Sequence, residues 1–519
     1  MTRSVPLLFI LLILNLFFSC TKDNTPPNII YILADDLGYG EVGFNGQKII
    51  QTPNMDALAE SGMIFTQHYS GSPVCAPARC ILLTGKHAGN AYIRGNDEWR
   101  ERGNVWDYKA AVLDSNLEGQ RPIADSVITL AEKLKTRGYK TAIIGKWGLG
   151  APGSEGVPGK QGFDYFYGYN CQRQAHNLYP PFLWEQDEKA YLDNEIVVPG
   201  TQLDSSADKY DESSYQRYTQ NEYAPERMHE KALEFIQKNS SEPFFLYYAS
   251  PLPHLPLQAP ASNVRKYRDI IGDEEPYTGR SYFPNMYPRA SYAAMISILD
   301  EQVGSIVKTL KDLGINENTV LMFSSDNGPT YTGGVDFEYF RSSAPFANGY
   351  GRTKGFTYEG GIHVPFLVSW PGKIKACSKN DHLSAFYDIF PTICELAGVD
   401  VAVASDGISF APALLGKKQN EHSYLYWEFP SYSGQQAVRM GKWKGIRKNI
   451  FKGNMKIELY DLEKDILEAY DISDEYPEIV ARIEAIMEKE HTPSPIERFK
   501  MEQLGDELIS GGQAGISPE

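Results

Sequence analysis

Asn28-Ile29-Ile30-Tyr31-Ile32-Leu33-Ala34 is an apolar, β-prone run that stops abruptly at Asp35-Asp36-Leu37-Gly38-Tyr39-Gly40. Seven residues without alternation predict a strand covered on both faces, as in a parallel sheet. The same grammar recurs along the chain. Lys140-Thr141-Ala142-Ile143-Ile144 ends at Gly145-Lys146, 244–249 ends at Ser250-Pro251 and reaches His254, and 319–324 ends at Ser325-Asp326-Asn327-Gly328. Val364-Pro365-Phe366-Leu367-Val368 is a further strand candidate. Helical patterns separate these runs. One starts at Thr52-Pro53 and ends by Gly62. A second spans Asp125 to Arg137 with Val127, Leu130, Ala131 and Leu134 on one face. In a third, Ile296, Leu299, Val303, Ile306 and Leu310 recur every three or four residues. Alternating helices and strands predict an α/β domain with a mainly parallel sheet sandwiched by helices.

From about Gln419 the pattern changes to short runs at 423–428, 436–440, 443–447 and 456–459, followed by an amphipathic helix after Pro477. This predicts a small α+β subdomain with an antiparallel sheet over 419–519, after a large α/β domain over 26–416. The N-terminus pairs Arg3 with an apolar run from Val5 to Phe18 and then Ser19-Cys20. The run is short for a membrane span, which needs about 20 residues, and predicts an export signal of lipoprotein type over 1–20. Uncleaved anchoring and plain secretion are the alternatives. A periplasmic or outer-membrane lipoprotein is the expected location, with a lipid anchor on Cys20.

The formal charge of −16 argues against nucleic acid as the main partner, so an anionic substrate would need a local cationic pocket. Beyond Cys20 and Cys75, four cysteines in 519 residues make no disulfide framework, and no CxxC pair points to zinc.

The chemistry concentrates in Cys75-Ala76-Pro77-Ala78-Arg79, followed by Leu83-Thr84-Gly85. A small-residue loop leads into a helix start here, where free N–H groups and Arg79 favour negative charge. A thiol so placed could serve as an ionised nucleophile, although no thiol-protease context surrounds it. In open α/β sheets ligands bind beyond the carboxyl ends of the strands, so Asp35, Asp36, Lys146, His254, Asp326 and Asn327 are expected to converge. Adjacent acids in one site call for a cation, and the all-oxygen set Asp35, Asp36, Asp326 and Asn327 selects a hard ion.

The Cys75–Gly85 stretch resembles the signature of the formylglycine sulfatases, Cys-x-Pro-(Ser/Ala)-Arg with a downstream Thr-Gly. Further landmarks follow in family order at 28–40, 52–65, Gly145-Lys146-Trp147, 325–328, Lys354-Gly355, Tyr358-Glu359-Gly360-Gly361, Asp406-Gly407-Ile408-Ser409 and Leu459-Tyr460-Asp461-Leu462. The resemblance implies an alkaline-phosphatase-like α/β domain with a C-terminal α+β subdomain. It implies a divalent cation, Ca2+ before Mg2+, on Asp35, Asp36, Asp326 and Asn327, with Arg79, Lys146, His254 and Lys354 around the sulfate. It also implies that Cys75 is oxidised to formylglycine by a formylglycine-generating or anaerobic sulfatase-maturating enzyme. The aldehyde hydrate then offers one hydroxyl to attack sulfur and a second to expel sulfate.

Two positions depart from the family pattern. The family commonly has Lys-x-His where this chain reads Lys146-Trp147-Gly148, and His363 stands where arginine is frequent. His176 is the expected substitute for the missing histidine. The insertion 165–184, with Arg173 and His176, and the segment 427–439 are expected to recognise sugar. A sulfated glycan carrying galactose or N-acetylgalactosamine sulfate is the expected substrate. The rival readings are a phosphodiesterase or phosphonate hydrolase on the same fold and a non-catalytic sulfoglycan-binding lipoprotein.

Overall fold

The computed structural model describes residues 26–401 and 405–508; the expected signal segment lies outside them. Five parallel strands form the centre of a ten-stranded sheet: β1 (Asn28–Ala34), β2 (Lys140–Lys146), β3 (Tyr165–Tyr169), β4 (Phe244–Ala249) and β5 (Thr319–Ser325), in the order β5-β1-β4-β2-β3. All seven residues of β1 are buried, as the unbroken apolar run requires. Ile29, Tyr31 and Leu33 pack into one hydrophobic layer, and Ile30, Ile32 and Ala34 into the other. The long helix Pro288–Asp312 covers the second layer, and the wholly buried helix Cys75–Thr84 belongs to the first.

Register makes the strand ends coincide. Ala34 pairs with Ser325, Leu33 with Ala249, and Gly145 with Ala249. Each polar residue that follows one of these strands therefore emerges at the same edge. Gly145 is required there, with φ +122° and a Cβ position only 1.9 Å from the Ala249 carbonyl oxygen. Any larger residue would push β2 off β4 and displace Lys146.

Two expectations change in detail. The strand candidate near Val364 runs Phe366–Ser369 and pairs antiparallel with β5. The helix expected from Asp125 begins only at Leu130. Thr129 and Glu132 form a reciprocal capping box that starts the helix five residues late, while the Asp125 N–H donates to Glu155.

The small sheet comprises β6 (Leu425–Phe429), β7 (Gln435–Met440), β8 (Trp443–Lys448) and β9 (Ile457–Asp461), all antiparallel. The helix Pro477–Glu490 buries Ile483 and Met487 against it. Trp427 on β6 instead joins the main core, and its indole N–H donates to the Ser70 carbonyl at 2.8 Å. A second tie is a buried charge cluster. Glu359 bonds Lys444 at 2.7 Å and His363 at 2.9 Å, and Lys444 also meets Glu468 at 3.1 Å. His363 thus pairs locally with Glu359 and also stacks on Phe346. The five described cysteines are all free.

Trp427 is fully buried and seats the small sheet on the loop that leads to Cys75. Trp427→Ala is expected to cost about 3–5 kcal/mol and lower the melting temperature, and Trp427→Phe to cost less. An unchanged calorimetric melting curve for Trp427→Ala would show that this seat is not structural.

Candidate active site

β1 ends in two adjacent acids that serve different partners. Asp35 follows β1 directly, and Asp36 sits at φ +65°, an uncommon left-handed conformation for a residue with a side chain. Its N–H donates to Asp326 Oδ1 at 3.1 Å, and its carboxylate accepts from Asn327 Nδ2 at 2.7 Å and Lys354 Nζ at 2.8 Å. These bonds hold a conformation that costs on the order of 1 kcal/mol by itself. The reversal lets Asp35 address Cys75 and Lys146 while Asp36 addresses Lys354.

Cys75 begins the buried helix Cys75–Thr84, and its Sγ lies 3.3 Å from Asp35 Oδ1. Lys146, delivered by β2, places Nζ 2.7 Å from Asp35 Oδ2. One turn along the helix, Arg79 bonds Asp326 Oδ2 through Nε and Nη2 at 3.2 and 2.8 Å and reaches Asp35 at 3.4 Å. Its Nη1 donates to the Lys146 carbonyl. Asn96 caps the helix start, accepting from the Ala76 N–H at 3.1 Å. On β4's side, His254 Nε2 lies 3.6 Å from Asp36 Oδ2 while Nδ1 meets the Leu255 carbonyl at 2.6 Å.

The electrostatics follow from packing these groups together without water. Burial opposes ionisation of Asp35, yet Lys146, His254 and Arg79 outweigh it and hold its carboxyl well below the usual range. Burial and the neighbouring Asp35 push Asp326 up to about 7 despite Arg79. Burial also raises Asp36, with Lys354 opposing and Asp35 adding to the rise. Lys354 stays firmly protonated, because Asp36 overrides the penalty of burial. Burial, then Lys146 and Lys354, push His254 well down. The Cys75 thiol is pushed well up by burial, Asp326 and Asp35. An ionised cysteine nucleophile is therefore the wrong reading of this position, because two carboxylates face the sulfur.

Three carboxylates are buried side by side, and burial with the neighbouring Asp35 raises two of them, Asp36 and Asp326, which suits a further cation. Ligand atoms of Asp35, Asp36, Cys75 and His254 all lie within 4.8 Å of one another. Asn327 Oδ1 is buried and has no hydrogen-bond partner, an acceptor left over for an ion. Carboxylate and amide oxygens favour a hard divalent ion, so the residues present fit the expected metal.

The remaining expected residues divide. The His176 ring stacks on His254 at 5.3 Å, so it does reach the cleft. Burial, then the neighbouring His254 and Lys146, push it well down. Arg173, three residues earlier, turns away: its Nη2 donates to the Trp106 carbonyl and its guanidinium lies 4.6 Å from the Trp106 ring centre. Trp427, expected to help recognise sugar, is buried in the core and offers no ring to a ligand. Gly148 cannot carry the family's histidine easily. It has φ +76°, and Gln172 fills the space a side chain would need. Tyr282 was not foreseen. It lies 5.4 Å from His176 and 6.3 Å from His254, in a stretch with no motif to mark it.

The sulfatase family model matches residues 27–399, and a model described as the C-terminal part of N-sulphoglucosamine sulphohydrolase matches 350–492. This chain belongs to the sulfatase family. It is 31% identical to N-acetylgalactosamine-6-sulfatase of Canis lupus familiaris over 433 residues, 81% of this chain and 71% of that one. It is 32% identical to human arylsulfatase A over 438 residues, 81% and 74% of the two chains. The solved structure of Ps i-CgsB in complex with k-i-k-neocarrahexaose superposes with a TM-score of 0.70 at 26% identity, covering 90% and 94%. The protein is thus a sulfuric ester hydrolase within the alkaline phosphatase superfamily, and the sulfatase family is one that uses formylglycine and a divalent metal.

If the sulfatase's acidic cluster is the metal site, calcium should stabilise the fold by about 2.7 kcal/mol at roughly 100 times its Kd. The melting temperature of the wild type should rise accordingly on calcium addition, and that of Asp36→Asn should not. Equal shifts in the two proteins would place the ion elsewhere.

Proposed function

We propose that this sulfatase removes sulfate from a sulfated carbohydrate, with galactose or N-acetylgalactosamine sulfate as the favoured class. The observation that carries the reading is the meeting of Cys75 Sγ (3.3 Å) and Lys146 Nζ (2.7 Å) on one buried carboxylate, Asp35, within an array holding Arg79 and Lys354. The sugar class draws support from the likeness to N-acetylgalactosamine-6-sulfatase and to a protein solved with a neocarrahexaose.

Formylglycine at position 75, installed by a maturating enzyme, supplies an oxygen nucleophile as its hydrate. Asp35, Asp36, Asp326 and Asn327 would hold a calcium ion, which would supply fixed positive charge to the site. The chain's own groups do the rest. Cleavage moves negative charge onto the sulfate and the leaving oxygen, and fixed donors aimed at that charge are worth about 10²–10³ each in rate. Lys146 and Arg79 are fixed by Asp35 and Asp326, so they need no reorganisation when a sulfate arrives. Lys354 is the cation nearest the mouth, with 17% of its side chain exposed, and stands with His254 beside Asp36. Lys354 is placed to stabilise the departing sugar oxygen as a fixed positive charge, and His254 Nε2 to pass it a proton once a bound sulfate's negative charge raises the ring's proton affinity. His176, stacked on His254, takes the place of the absent family histidine. In this reading the enzyme is exported and works in the periplasm or on the outer membrane through a lipid on Cys20.

Mass spectrometry of the peptide containing Cys75, after co-expression with a maturating enzyme, should find an aldehyde in place of the thiol. Parallel assays should show turnover of sulfate esters well above that of phosphate esters. Cys75→Ala should abolish turnover, Lys146→Ala should lower kcat/KM by about 10²–10³, and His176→Ala by at least about ten-fold. An unmodified thiol in active enzyme, or better hydrolysis of phosphate esters, would overturn the proposal.

A further inference from the structure

Beside Lys354 lies a run of aromatic rings that the sulfate chemistry does not use. Tyr331 and Tyr350 have ring centres 5.3 Å apart at 82°, Tyr350 and Phe356 5.3 Å at 79°, and Phe356 and Tyr432 5.3 Å at 71°. Tyr331 and Tyr432 are joined by a side-chain hydrogen bond, so the ends of the run are tied together. Tyr350 is gripped edge-to-face on both sides and still 75% exposed. Single exposed tyrosines need no explanation, but four rings held in one rigid cluster form a surface.

The cluster is built onto the catalytic loop. The Lys354 N–H donates to the Pro329 carbonyl, two residues before Tyr331, and the Gly355 N–H donates to the Pro73 carbonyl, two residues before Cys75. Gly355 packs so closely on Tyr432 that a Cβ there would lie 2.9 Å from its ring. Lys354 itself is near enough for its charge to bear on the Tyr331 phenol.

The geometry points to a second function for this rim: Tyr350, held between Tyr331 and Phe356, is a platform for a pyranose ring adjoining the sulfated sugar, so the enzyme prefers an oligosaccharide to a monosaccharide. The inference rests on the sulfated-carbohydrate reading and extends it. A pyranose has an apolar C–H face that packs on an aromatic ring and equatorial hydroxyls that meet phenol oxygens at its edge. None of the four rings carries a charge, which suits an anionic glycan on a protein of formal charge −16. A rigid platform also loses little conformational freedom on binding.

Tyr350→Ala, Tyr350→Phe and the wild type are compared on three substrates. These are 4-nitrophenyl sulfate, a sulfated monosaccharide, and whichever carrageenan or chondroitin sulfate tetrasaccharide the wild type desulfates fastest. Tyr350→Ala should raise KM for the tetrasaccharide about ten-fold with kcat nearly unchanged, and leave 4-nitrophenyl sulfate turnover as in the wild type. Tyr350→Phe should keep most of the tetrasaccharide affinity. Equal losses on all three substrates would mean that the ring only shapes the Lys354 loop, and an unchanged tetrasaccharide KM would mean that it touches no sugar; either overturns the platform. Wild type that desulfates monosaccharide and tetrasaccharide equally well overturns it too, while leaving the sulfatase reading standing. Absence of any sulfate-ester turnover would remove that reading and the platform with it.

Discussion

The Asp35 carboxylate is the point on which the site's charges balance. One oxygen takes Lys146 Nζ at 2.7 Å and has Arg79 at 3.4 Å, and the other faces Cys75 Sγ at 3.3 Å. All of these groups are buried, so none can relax by turning to water. Removing one partner of a buried ion pair costs about 3–5 kcal/mol, because the other charge is left behind. The array is therefore stable only as a set. The sheet supplies that set by ending β1, β2, β4 and β5 at matching registers. The backbone strain at Asp36 belongs to the same constraint, since only that reversal lets two consecutive acids serve two cations.

This also explains why the encoded cysteine is a poor nucleophile. The surroundings that would order an oxygen beside a cation push a thiol proton on rather than off. The carboxylates and the spare Asn327 oxygen fit a hard ion, and the lysines and arginine fit an anion next to it. A protein with a surplus of acids can thus hold an anionic ester, because attraction is confined to one pocket whose cations are locked by carboxylates beneath them.

Much of this was legible in the sequence, for a physical reason. Doubly buried strands read as unbroken apolar runs, and their ends are marked by polar residues, so the sequence pattern alone puts Asp35, Lys146 and Asp326 at one edge. The limits of the helix at 130–135 were not legible, because a side-chain capping box overrode the apolar spacing that began at Val127. Trp427 misled for a different reason. A β-run shows which residues share a face, but not whether that face meets solvent or a neighbouring domain. Tyr282, Asn96 and Gln172 act through loop packing and carry no local pattern. Arg173 sits in the expected segment, but the Trp106 ring and carbonyl claim its guanidinium.

The central claim is that distant acids and cations were assembled to hold one ion and one sulfate together. A crystal structure of the protein grown with calcium and soaked in inorganic sulfate tests it most directly. The account predicts calcium among Asp35, Asp36, Asp326 and Asn327 Oδ1, with sulfate alongside it in contact with Lys146, His254 and Lys354. Calcium bound elsewhere, or sulfate bound away from these three side chains, would contradict it.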